Sequence, residues 1–157
     1  MGILSEETKR VVAEIQLCYA RTLPRWQAEA APKGWITVLS DDELGFAHLA
    51  SPRTIENLRH NPAIDLTVVD PFTRRDFKFK GAAKVVKDPE AHGRMARILG
   101  PDDPCEQVVK IRVETASEVY SPVDTLTQTS EAEVQRFWLE RYGYRSTREA
   151  GGVHDCR

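Results

Sequence analysis

The chain has 157 residues, of which 41% are hydrophobic and 29% are charged, and these values are typical of one globular domain with its own core. Its 22 Lys and Arg residues are balanced by 24 Asp and Glu residues, so the net charge of −2 disfavours nucleic acid as a partner. No apolar run approaches transmembrane length, and the N-terminus lacks the apolar core of a signal peptide. We therefore predict a cytoplasmic protein with no membrane partner.

The side chains that most often bind metals are scattered along this sequence. The three cysteines, Cys18, Cys105 and Cys156, are far apart, and the histidines show no ligand spacing. Such a distribution predicts neither a metal site nor a disulfide framework.

The first third of the chain predicts one helix and three strands. Ser5 to Gln16 has the capping residue, early acidic residues and apolar face of an amphipathic helix. Strands are predicted at Leu17–Leu23, Trp35–Leu39 and Gly45–Leu49. The turn Ser40-Asp41-Asp42-Glu43 joins the last two, and we expect them to pair as a hairpin.

A helix is predicted to begin directly after the third strand. Ser51 is a preferred N-cap residue, Pro52 suits the first helical position, and the helix ends at Asn61, which precedes a proline. Arg53 and Thr54 then lie beside the open backbone N–H groups of the first turn. This combination suits a phosphate. The alternative interpretation is an ordinary capped surface helix with a solvated arginine.

The rest of the chain continues the mixture of strands and helices. Strands are predicted at Ile64–Val68, Phe77–Val86 and Val109–Val113, and helices at 88–99 and from the capping box Ser130-Glu131-Ala132-Glu133. Residues 146–157 are predicted to be a disordered tail, and residues 1–145 one domain. Six or more strands without regular strand–helix alternation favour a small, mostly antiparallel barrel with peripheral helices.

Three motifs occur in a distinctive order. They are Pro-Lys-Gly at 32–34, Ser-x-Arg-Thr-x-x-Asn-Leu-x-x-Asn-Pro at 51–62, and Val-Val-Asp-Pro at 68–71 followed by Phe-Lys-Gly-x-Ala at 79–83. Their order and spacing resemble the pyridoxamine 5′-phosphate oxidase-like family of FMN-binding split barrels, over about Leu17 to Val113. The resemblance implies a mainly β, six-stranded antiparallel split β-barrel with peripheral helices, a homodimer, and two FMN sites at the dimer interface.

The resemblance also implies which residues bind the cofactor. Arg53 and Thr54 match the positions that bind the FMN phosphate. The stretch from residue 33 to 37 matches the strand beside the flavin ring and ribityl chain. Ala47 and His48 match the positions just before the phosphate loop. Residue 33 would supply a second charge for the phosphate or a donor near the flavin's pyrimidine edge. No catalytic residue is assigned. The predicted cofactor-binding residues are Lys33, Trp35, Thr37, Ala47, His48, Ser51, Arg53 and Thr54.

The resemblance implies an FMN-dependent oxidoreductase that acts on an unknown small molecule. The alternatives are an F420-dependent oxidoreductase, a non-enzymatic flavin binder or sensor, and a barrel that has lost its cofactor. Residues 24–31 favour the non-enzymatic readings, because they lack the Asp-Gly-x-Pro turn usual in the family. The tail after Val113 does not match the Trp- and Arg-containing segment of family members that oxidise pyridoxamine phosphate, which disfavours vitamin B6 oxidation.

Overall fold

Alternating apolar residues build one antiparallel sheet in the larger of two structural units. A computed structural model describes residues 2–23, 29–49, 51–100, 105, 107–119, 126 and 129–144. The first unit is Met1–Asp70 with Asp76–Val119, and the second is Pro71–Arg75 with Tyr120–Arg157. Residues 24–28 and the predicted tail at 146–157 lie outside the described residues. The prediction that this tail is disordered is therefore not tested. No helix in the described ranges is long and apolar enough to cross a membrane.

The sheet has seven strands in the order β2-β1-β5-β6-β7-β4-β3, and every neighbouring pair is antiparallel. The strands are β1 Leu17–Thr22, β2 Glu29–Gly34, β3 Thr37–Ser40, β4 Glu43–His48, β5 Ala63–Val69, β6 Asp76–Val86 and β7 Gln107–Val119. The helices are α1 Glu6–Ile15, α2 Pro52–His60, α3 Pro89–Leu99 and α4 Glu131–Arg141.

The two edge strands of this order are joined by only two residues, Trp35 and Ile36. In a flat sheet, β2 and β3 would lie about 29 Å apart, because neighbouring strands are spaced about 4.8 Å apart. Three residue steps span at most about 11 Å, so the sheet must curl until its edges approach. The mainly β, antiparallel split barrel is therefore confirmed, with seven strands instead of six.

The additional strand is β2, which the sequence pattern did not predict. It contains Pro32 and two alanines, which are unfavourable in strand interiors. It lies at the sheet edge, where a missing proline N–H costs no ladder hydrogen bond. The predicted strand at Trp35–Leu39 is also wrong at its start: Trp35 has a φ of 63° and precedes β3. This left-handed conformation interrupts the extended backbone between β2 and β3, so Trp35 and Thr37 do not share a strand face.

The core of the first unit follows the predicted alternation. In β5, Ile64, Leu66 and Val68 are buried at every second position. They pack in one cluster with apolar residues of α1 and α2, including Val12 and Ile55. A second cluster lies under α3 and contains Leu39, Ala47, Ala91, Met95, Cys105 and Val108.

Gly81 allows β6 and β7 to pair closely at a bulge. The register shifts from Lys80–Thr115 to Gly81–Val113, which leaves Glu114 as an extra residue on β7. A Cβ atom at Gly81 would lie 2.0 Å from the carbonyl oxygen of Arg112. The glycine of the Phe-Lys-Gly-x-Ala motif is thus required by backbone packing.

The second unit contains α4, and its predicted capping box is confirmed. The Ser130 hydroxyl accepts a hydrogen bond from the Glu133 N–H, and the Glu133 carboxylate accepts one from the Ser130 N–H. The Arg74 guanidinium stacks 3.6 Å from the Trp138 ring centroid and donates to the Tyr142 hydroxyl at 2.7 Å. Trp138 and Tyr142 thus both contact Arg74, a residue of their own unit.

Candidate anion-binding site at the start of helix α2

The N-terminus of α2 differs from the usual capped helix start. Ser51 and Pro52 occupy the predicted positions, but the Ser51 hydroxyl makes no capping hydrogen bond. The first turn contains no acidic residue, and the first intrahelical bond runs from the Ile55 N–H to the Ser51 carbonyl. Within the described part of the chain, no side chain caps the N–H groups of Arg53 and Thr54, and these groups can accept an anion.

The Ser51 hydroxyl is instead occupied by Lys33. The Lys33 side chain is 5% exposed, and its Nζ donates a hydrogen bond of 2.6 Å to the Ser51 Oγ. Lys33 lies in β2 directly opposite Cys18 of β1. Burial lowers the pKa of Lys33, while the nearby Glu29 carboxylate and Cys18 act in the opposite direction. A desolvated cation is thus held against the start of the helix.

The Asn57 side chain holds α2 against β1 and β2, the two strands that contain Cys18 and Lys33. Its Nδ2 donates to the Thr22 hydroxyl at 2.9 Å and to the Glu29 carboxylate at 3.0 Å, and its side chain is buried. Neither Asn57 nor Glu29 is among the site residues predicted from the sequence. Helical spacing contained a signal for the first, because Asn57 lies next to Leu58 on the buried face of α2.

His48 ends β4 and contributes an imidazole to the same region. Among the residues that the structure describes, none offers a hydrogen bond to its buried Nδ1. Its pKa is lowered by burial and further by the positive charges of Lys33 and Arg59. Arg59 lies in the last turn of α2 and was also missed by the sequence analysis. The region therefore combines three positively charged or protonatable side chains from three elements.

The surface at this point is a groove of about 400 Å³. Arg53 lies in its wall and is exposed, so its guanidinium is available to a ligand. The lining residues are Glu29, Ala31, Pro32, Ser51, Pro52 and Arg53. The groove thus brings together one guanidinium, that of Arg53, the Ser51 hydroxyl and the start of α2, and such donors bind phosphate esters.

Of the eight predicted cofactor-binding residues, the structure brings Lys33, Ser51, Arg53, Thr54 and His48 to this region. The other three do not join the Lys33–Ser51 hydrogen bond. Their roles stay predictions: Trp35 is 40% exposed on the link between β2 and β3, Thr37 is half-buried in β3, and Ala47 is buried under α3.

The family model described as pyridoxamine 5′-phosphate oxidase matches residues 4–120 of the 157. The chain belongs to the pyridoxamine 5′-phosphate oxidase family. The match includes the whole seven-stranded sheet and α2, and thus the candidate site of this family member. A search of curated proteins finds no match.

Solved structures show the same fold. HupZ of Group A Streptococcus superposes with a TM-score of 0.64 at 21% identity, over 74% of this chain and 94% of that one. An FMN-binding protein from Syntrophomonas wolfei subsp. wolfei gives 0.65 at 14% identity, over 75% and 87% of the two chains. An F420 reductase gives 0.56 at 20% identity, over 69% and 94%. At these identities, the likeness shows the split-barrel fold of the family alone.

Proposed function

We propose that this family member binds FMN with the phosphate at the start of α2, and that it is a flavin-dependent oxidoreductase acting on a small molecule. The observation that carries the proposal is the hydrogen bond from the ammonium of the buried residue Lys33 to Ser51, beside the uncapped N-terminus of α2. The family membership and the FMN-binding neighbour support the choice of ligand.

The residues present fit the phosphate of FMN. A phosphate monoester carries nearly two negative charges at neutral pH and needs cations together with directed donors. Lys33 and Arg53 supply the charge, and Ser51 with the N–H groups of the first turn supplies the donors. The orphaned His48 Nδ1 adds one polar atom without a protein partner in the described ranges. Bound FMN would supply the redox chemistry, while these residues bind and orient it.

Arg53 provides the direct test, because its side chain is exposed and the fold does not depend on it. A charge-assisted contact to phosphate contributes about 1.5–3 kcal/mol, or about tenfold to a hundredfold in affinity. Arg53→Ala should therefore weaken FMN by that factor and leave riboflavin, which lacks the phosphate, nearly unchanged. Arg97→Ala, an exposed arginine on α3, is the matched control.

The readouts are flavin fluorescence titration and thermal unfolding, since a ligand that binds only the folded state raises the melting temperature. Equal losses for FMN and riboflavin, or no loss for either, would remove Arg53 from the phosphate site. A protein that stays colourless and is not stabilised by FMN would refute the proposal as a whole.

The F420 reductase neighbour makes deazaflavin F420 the second candidate cofactor. It also carries a phosphate, so the same residues would anchor it. Competition between FMN and F420 in one titration ranks the two ligands. Reduction of the bound flavin by NADH or NADPH, with turnover of an acceptor, supports an enzyme; bound FMN that neither nicotinamide reduces supports a non-enzymatic binder or sensor.

We further propose that the chain is a homodimer. The support is a set of exposed apolar side chains in the first unit: Leu17 at 47%, Tyr19 at 52%, Trp35 at 40% and Leu49 at 45%. Light scattering coupled to size exclusion should report twice the mass of one chain. Tyr19→Glu should shift the mass toward the monomer, and Ile3→Glu, a change at another exposed apolar residue, should not. A monomer at all concentrations refutes the homodimer.

A further inference from the structure

The half-buried side chain of His48, with its buried Nδ1 atom, is the strongest feature that the proposed function leaves unexplained. Its Nδ1 has no hydrogen-bond partner in the described ranges, although leaving a buried polar atom unpaired costs about 1–3 kcal/mol. The atom lies at the end of β4, in a residue three positions before Ser51, which precedes the first turn of α2. A polar ligand at this place would provide the missing partner.

The charged groups around His48 come from two other elements. Lys33 of β2 and Arg59 of α2 both disfavour a second positive charge there, and burial acts in the same direction. From β7, the residue paired with His48 is the uncharged Gln107. Glu29 acts on Lys33 and is itself bonded to Asn57. These effects lower the pKa of His48 and favour its neutral form in the free protein.

A bound phosphate would instead favour the protonated form of His48. Its two negative charges would offset Lys33 and Arg59 and favour a third cation beside them. An imidazole that gains a proton becomes a donor at both ring nitrogens, and its bond to a phosphate is then charge-assisted. No other side chain of the site changes its charge near neutral pH as readily as a histidine.

We propose that His48 is a ligand of the bound phosphate and takes up one proton from solvent when the phosphate binds. This inference rests on the proposed phosphate site and adds its regulation: affinity depends on pH through His48. The reaction is balanced by one solvent proton that converts the neutral imidazole to imidazolium, while the phosphate remains a dianion. Between the titration midpoints of the free and bound states, affinity should fall by up to about tenfold for each pH unit of increase.

The first measurement follows the His48 ring by NMR as a function of pH, with inorganic phosphate and with sodium chloride at equal ionic strength. His48→Asn identifies the signal, and the exposed His60 and His92 serve as internal references. Phosphate should raise the midpoint of His48 and leave both references unchanged. An unchanged His48 midpoint would overturn the inference.

The second measurement is calorimetry of FMN binding at about pH 7.5, where the phosphate is nearly all dianion, in two phosphate-free buffers with different ionisation enthalpies. Binding of FMN to the wild-type protein should be accompanied by uptake of up to one proton from solvent. Binding of riboflavin should be accompanied by none. His48→Asn keeps a hydrogen-bond donor but cannot be protonated, so it should bind FMN without proton uptake. Equal uptake by this variant and the wild type would contradict the role of His48.

The two measurements separate this inference from the proposed function. If FMN binds but neither His48 nor the proton count responds, FMN binding stands and the role of His48 falls. If FMN fails to bind while phosphate still raises the His48 midpoint, the proton-linked phosphate site stands and the flavin assignment falls. If phosphate leaves the midpoint unchanged and FMN fails to bind, both are refuted.

Discussion

Replacing Lys33 by methionine should separate ligand binding from folding stability. Lys33 is a buried residue, with 5% of its surface exposed, and its ammonium donates a hydrogen bond of 2.6 Å to the Ser51 hydroxyl. Lys33→Met keeps most of the side-chain volume and removes the charge. Burial already lowers the pKa of Lys33, which means that its charged form is less favourable here than in water.

The expected sizes follow from these contacts. An apolar side chain of similar volume avoids the desolvation penalty of the ammonium, which amounts to several kcal/mol for a buried ion. Against this, the charge-assisted hydrogen bond to Ser51 is lost, and such bonds contribute about 1.5–3 kcal/mol. The two effects oppose each other, so the free energy of unfolding of the free protein should fall by no more than about 2 kcal/mol, or rise. FMN affinity should fall by about tenfold to a hundredfold, and riboflavin affinity should not.

Urea denaturation of the free protein and flavin fluorescence titration measure the two quantities. Lys78→Met, on the exposed face of β6, is the matched control and should change neither. The reasoning is refuted if Lys33→Met lowers the free energy of unfolding by more than about 2 kcal/mol while FMN binds as before. Lys33 would then be a structural partner of Glu29 and not part of a ligand site.

Three further changes test the fold around the site. Gly81→Ala should cost about 3 kcal/mol or more in urea denaturation, because its Cβ would meet the Arg112 carbonyl, whereas Gly93→Ala on α3 has open space and should stabilise by up to about 1 kcal/mol. Asn57→Ala should cost about 2–4 kcal/mol in the same assay, since one buried and one partly buried hydrogen bond are lost; a cost under about 0.5 kcal/mol would contradict its role. Burial raises the pKa of Cys18 to about 12 from 9.0, so stability should fall by about 1.4 kcal/mol per unit as pH rises through this window, and Cys18→Ala should remove that fall.

The sequence predicts those strands whose side chains alternate between core and solvent. β5 and β6 were predicted almost to their ends, because apolar residues occupy every second position and the opposite face is polar. β2 was missed because its residues do not alternate in this way, and its pairing with β1 depends on partners elsewhere in the chain. The left-handed conformation of Trp35 was equally invisible, since aromatic residues ordinarily favour strands.

The candidate site was predictable only where its chemistry is local. The three consecutive residues Ser51, Pro52 and Arg53 predict an exposed helix start. The Lys33–Ser51 bond joins residues 18 positions apart, and it redirects a hydroxyl that local rules assign to helix capping. The effect of Arg59 on His48 likewise joins two elements that only the folded chain brings together.

The free protein carries these basic side chains at a cost in stability. Burial disfavours charge on Lys33 and on His48, and the charges of Lys33 and Arg59 disfavour it further on His48. The start of α2 also lacks the capping bond that Ser5 and Ser130 provide to α1 and α4. The proposed binding of an anion beside the first turn would relieve each of these unfavourable features. A site arranged in advance loses little further order on binding. The stabilisation by FMN should consequently decrease when either Lys33 or His48 is replaced, even where the free variant is the more stable protein.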